Sequence, residues 1–73
     1  MTDQSDRPIL GERLTAAREE KELTQAQLAE MIGVTQRVIS HWERYGVAIK
    51  SDKLVSLADA LDVTTDYLLG RAD

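Results

Sequence analysis

Gly33 and Thr35 stand two residues apart between two apolar stretches, and this spacing constrains the fold more than any other feature of the chain. Glycine tolerates the left-handed conformation that ends a helix, and a threonine hydroxyl accepts from the exposed backbone N–H groups that begin one. Upstream, Thr24 and Gln27 have the spacing of a capping box, so a helix starts at Gln25 and runs through Leu28, Ala29, Met31 and Ile32 to the glycine. Downstream, a second helix runs from Gln36 to about Tyr45, where Gly46 follows. Two short helices joined by so tight a turn must cross steeply, which calls for a small residue where their backbones meet. Ala29 meets that need. Val34, Ile39 and Trp42 are the apolar plugs expected to hold the later helix, and Met31 is expected to pack inside.

The rest of the chain supplies partners for this pair. Pro8 suits the first turn of a helix, with Leu10, Leu14, Ala17 and Lys21 on one side through about residue 21. Ser51 is placed as the cap of a helix carrying Leu54, Val55, Leu57, Ala58 and Leu61. A last short helix is expected from Thr64 to Leu69, stopped by Gly70. The reading is all-α, with five helices and one core. Residues 8–70 form the domain, and residues 1–7 and 71–73 are tails. The polar run Met1 to Asp6 has the character of a frayed end, not of a secretion signal or membrane anchor.

Seventy-three residues suffice for one domain, and without cysteine neither a disulfide framework nor a thiolate zinc site can staple it. Apolar packing must hold the fold, and a reducing, cytoplasmic setting is expected. The single histidine has no cysteine nucleophile or HExxH spacing around it, and the four glycines form no phosphate loop. No enzyme, metal, cofactor or small-molecule ligand is expected.

The net charge of −4 runs against the basic footprint of a nucleic-acid binder, but its distribution does not. Residues 1–30 carry a net −3, residues 31–53 a net +2 and residues 54–73 a net −3. On a helical wheel starting at Gln36, the side chains of Gln36, Ser40, Arg44, Arg37 and His41 share an arc of about 140°. Val38, Trp42 and Ile39 lie on the other side. That outer arc holds no acid in a chain with more acids than bases, and glutamine and arginine can pair bidentately with adenine and guanine edges. Glu19, Glu20 and Glu22 read as a solvated face.

With these residues in place, the chain resembles the helix-turn-helix domains of the phage lambda-repressor and Cro type. The likeness rests on L-G-E-R-L-T-A-A-R, L-T-Q-A-Q-L-A-E, G-V-T-Q-R-V-I-S-H-W-E and D-V-T-T-D-Y-L-L-G, spanning about Leu10 to Gly70. It implies a five-helix fold and a transcriptional regulator, generally a repressor, that binds double-stranded DNA as a homodimer with its third helix in the major groove. Gln36, Arg37, Ser40 and His41 then fall to base readout, and Gln25, Thr35, Arg44, Lys50 and Lys53 to phosphate contact. Arg18 and Glu43 match a buried ion pair, and Tyr67, Leu68 and Leu69 are assigned to the dimer interface. Three positions depart from the family pattern: Glu22 where glycine is common, Tyr45 with Gly46 one place late, and Ile49 in place of a proline. They imply either a different turn or a strained left-handed residue at 22, and a third helix extended by a residue with a displacement of the following loop, where Lys50 stands. The rival reading is a protein-interaction module that keeps the fold without reading DNA.

Overall fold

The computed structural model describes residues 8–47 and 49–71. The expected tail at residues 1–7, and residues 72–73 of the other, lie outside the described residues. Five helices follow in order, α1 Ile9–Glu20, α2 Gln25–Ile32, α3 Gln36–Tyr45, α4 Ser51–Leu61 and α5 Thr65–Leu68. No strand occurs among the described residues.

The local signals around the turn act as their chemistry requires. The Thr24 hydroxyl accepts from the Gln27 N–H while the Gln27 side chain accepts from the Thr24 N–H, closing the capping box. Gly33 ends α2 at φ 78°, and the Thr35 hydroxyl accepts from the Val38 N–H to open α3. Six aliphatic side chains, Leu14, Leu28, Ile39, Leu57, Leu61 and Leu68, are fully buried and draw from all five helices. Trp42 packs against them, and Ala29 supplies the small surface where α2 meets its neighbours.

Several expectations need correction. Met31 is 55% exposed, because the buried face of α2 is set by Leu28, Ala29 and Ile32, about 110° of helical rotation away. Val55 is exposed on α4 for the same reason, since Leu57, Ala58 and Leu61 define the inner face there. Ser51 is the first helical residue of α4 and not its cap: the chain enters at Lys50, with no side-chain cap hydrogen bond. Pro8 likewise caps α1 from outside. Lys21 lies beyond the end of α1 on the surface, 3.7 Å from the Asp62 carboxylate, an exposed pair that contributes little. The last helix is shorter than expected, with Thr64 as its cap.

Glu22 adopts φ 59°, the strained left-handed residue anticipated where the family prefers glycine. A side chain in that region costs about 1–2 kcal/mol, partly offset in a glycine variant by the greater freedom of the unfolded chain. Glu22→Gly is therefore expected to raise stability by about 1 kcal/mol, read as a higher urea midpoint with an unchanged slope. An unchanged or lower midpoint would mean that the turn carries no strain.

Candidate nucleic-acid interface

The two sides of α3 separate as the helical wheel demands. Ile39, Trp42 and Glu43 are buried and Val38 is half-buried, whereas Gln36, Arg37, Ser40, His41 and Arg44 are all exposed. The helix ends at Tyr45 with Gly46 in the left-handed region, which gives the additional residue expected from the late glycine. The Tyr45 ring lies 4.8 Å from the His41 ring, tilted by 49° to it.

Helix α3 is clamped from two directions. Arg18 of α1 reaches Glu43 through Nε at 2.6 Å from Oε2 and through Nη2 at 3.3 Å from Oε1, while its Nη1 donates to the Leu23 carbonyl at 2.7 Å. Side-chain exposure is only 12% for the arginine and 7% for the glutamate, so the two charges face each other largely away from water. The ion pair expected from the resemblance is therefore present. The second clamp is steric. Gly11 of α1 lies against the α3 backbone so closely that a Cβ built there would sit 2.2 Å from the Glu43 carbonyl oxygen. Sequence reasoning missed this contact, for which an isolated glycine inside an otherwise helical pattern was the available signal.

Helix α2 brings its first turn to the start of α3. The side chain of Gln25 donates from Nε2 to Glu43 Oε1 at 2.9 Å and accepts at Oε1 from Gln36 Nε2 at 3.3 Å. Its amide is thus engaged at both ends within the protein, and a phosphate at this helix start would meet backbone N–H groups that lack an intrahelical acceptor. The Thr35 hydroxyl, having accepted from Val38, still has its own proton to donate outward. Lys50 is exposed immediately before α4, and Lys53 is half-buried in its first turn.

The three residues assigned to a dimer interface divide. Leu68 is completely buried and belongs to the core, because it is the side chain through which the short α5 docks. Tyr67 is half-buried beneath the Arg13 guanidinium, 4.6 Å from its ring centroid, and Arg13 also donates to the Tyr67 carbonyl at 2.9 Å. Leu69 remains at the surface. Among the described residues no group of histidine, cysteine, aspartate or glutamate is arranged to hold a metal, and no helix is long and apolar enough to cross a membrane.

Comparison with known proteins places this geometry. The family profile described as Helix-turn-helix matches residues 14–68. Repressor protein C2 of Salmonella phage P22 is 39% identical over 61 residues, covering 84% of this chain and 28% of the repressor. The HTH-type transcriptional regulator ImmR of Bacillus subtilis is 37% identical over 62 residues, covering 85% of this chain and 49% of that protein. The chain therefore spans from about a quarter to half the length of these two relatives. The crystal structure of the P22 c2 repressor in complex with a synthetic operator superposes with a TM-score of 0.81 at 38% identity, covering 88% of this chain and 97% of that one. With a matching family profile over most of its length, a five-helix architecture and the glycine turn between α2 and α3, the chain belongs to the helix-turn-helix family.

Proposed function

We propose that this chain is the DNA-binding domain of a transcriptional repressor and lays α3 in the major groove of duplex DNA. The observation that carries the reading is the exposed, acid-free row of Gln36, Arg37, Ser40, His41 and Arg44 on a helix whose opposite side is locked into the core. In this reading Gln36, Arg37, Ser40 and His41 meet base edges, since their donors and acceptors match what those edges offer. The first turn of α2, Thr35, Arg44, Lys50 and Lys53 meet phosphates. The acidic remainder of the molecule repels DNA at long range and so favours approach by the α2–α3 side. A second copy would join across Leu69 and the exposed rim of Tyr67, giving a two-fold dimer on an inverted repeat, and the protein would work in the cytoplasm, on the nucleoid when bound.

Selection from a random duplex library at two salt concentrations tests the reading. If Arg44, Lys50 and Lys53 each neutralise one phosphate and the Arg37 charge in the groove displaces one further counterion, the log–log salt slope should be roughly −3.6 per protomer. Arg37→Glu should weaken the selected duplex by about 5- to 150-fold and flatten the slope by about 0.9. Binding that ignores both salt and this substitution would instead favour a protein-interaction module built on the same fold.

A further inference from the structure

We propose that the buried carboxylate of Glu43 is a positioning residue for base recognition, fixing through Gln25 which way the Gln36 amide faces. The inference rests on the DNA-binding reading above and adds to it the residue that sets the specificity of the first position of α3.

The argument follows from what each group can donate. Glu43 accepts from the Arg18 guanidinium at both carboxylate oxygens, at 2.6 and 3.3 Å, and is only 5% exposed, so it presents acceptors and no donor. The Gln25 group that approaches Glu43 Oε1 to 2.9 Å must therefore be the amide nitrogen, because an oxygen there would face an oxygen. That choice turns the Gln25 oxygen towards α3. The group of Gln36 that meets it, at 3.3 Å, must in turn be a nitrogen. Polarity thus passes from a buried charge through two neutral amides to the exposed end of the reading helix, in a direction that cannot invert while Glu43 is paired with Arg18.

The consequence lies in what remains on Gln36. Its amide has two N–H donors and one carbonyl oxygen, and one donor is committed to Gln25. One donor and one acceptor are left, held in a fixed order. In the major groove adenine offers an acceptor at N7 beside a donor at N6, whereas guanine offers two acceptors. The clamped amide fits adenine, and a glutamine free to rotate would accept several bases.

The test has one arm without DNA and one with it. In the free protein, the side-chain amide resonances of Gln36 should move towards those of an unrestrained glutamine in both Gln25→Met and Glu43→Gln. Gln25→Met leaves the Arg18–Glu43 pair intact and keeps the test valid should Glu43→Gln fail to fold. In the DNA arm, the probes are four duplexes that differ only at the base pair whose preference disappears in Gln36→Ala. The preference of the wild-type chain for adenine there should fall at least about fivefold in both variants. The double substitution Glu43→Gln with Gln25→Glu should restore it, because a carboxylate at 25 again presents only acceptors to Gln36 while a glutamine at 43 can accept from Arg18 and donate to 25. Unmoved Gln36 resonances, or an adenine preference that survives both single substitutions, would overturn the role given to Glu43. Failure of the wild-type chain to bind any duplex would instead strike the DNA-binding reading, with the relay still judged by the resonances.

Discussion

Replacing Arg18 with methionine is expected to cost about 3–5 kcal/mol, because it leaves the Glu43 carboxylate buried without its counter-charge. For a chain of 73 residues the whole folding free energy is on the order of 4–11 kcal/mol, so this one substitution would remove from about a quarter of it to all of it. Urea denaturation measures the loss directly. The double variant Arg18→Met with Glu43→Leu should recover most of it, since two apolar side chains of similar size fill the space without a charge to desolvate. A cost below about 1 kcal/mol for the single variant would mean that the pair behaves like one in open solvent. The pair is a device for holding α3 in register with α1 more than a source of net stability, and removing both charges should therefore harm recognition more than folding.

Gly11→Ala sets two opposing effects against each other. Alanine is the better helix former by about 1 kcal/mol, which argues for a gain. The added methyl, however, would lie 2.2 Å from the Glu43 carbonyl oxygen and 3.3 Å from that of Trp42, and both are backbone atoms that cannot swing aside. The helices would have to part by on the order of 1 Å, which loosens dispersion contacts along the whole α1–α3 seam. Overpacking of this kind costs about 1–3 kcal/mol and occasionally more, so steric strain should win, with a net loss of about 2 kcal/mol seen as a lower urea midpoint. Stabilisation on substitution would show that the seam yields freely and that Gly11 is there by chance.

The second of these substitutions acts where the sequence was least informative. The α2–α3 unit was legible because its boundaries are written in local chemistry: a capping box at Thr24 and Gln27, a left-handed Gly33 and a hydroxyl at Thr35. The two faces of α3 were legible because ten residues make enough turns for apolar and polar positions to separate. Apart from the Arg18–Glu43 pair, what could not be read was the contact between elements. Gly11 has no side chain to join a pattern, and its role depends on a carbonyl 32 residues further on. The hydrogen bonds of Gln25 with Glu43 and Gln36 join positions 18 and 11 residues apart, and nothing in the local sequence pattern ties the three side chains to one another. Met31 failed for a different reason: being apolar, it was taken as core, although its angle on α2 points it outward.

The relation between Arg18, Glu43 and Gln25 also explains why one family position can be structural and functional at once. The charge that ties α1 to α3 is the same charge that orders the amides above it, so a substitution of Glu43 alone acts on stability and readout together.

At the far end of the molecule, α5 is a single turn of four residues, too short to persist as a helix on its own. It owes its shape to Leu68 in the core, the Thr64 cap and the Arg13 guanidinium lying on Tyr67. Such an element undocks at a lower free energy than the rest, so its amide protons should exchange with solvent before those of α2 and α3. Any second subunit that presses on Leu69 must first pin this restless end in place, and the free energy spent in quieting it is subtracted from the grip of one copy on the other.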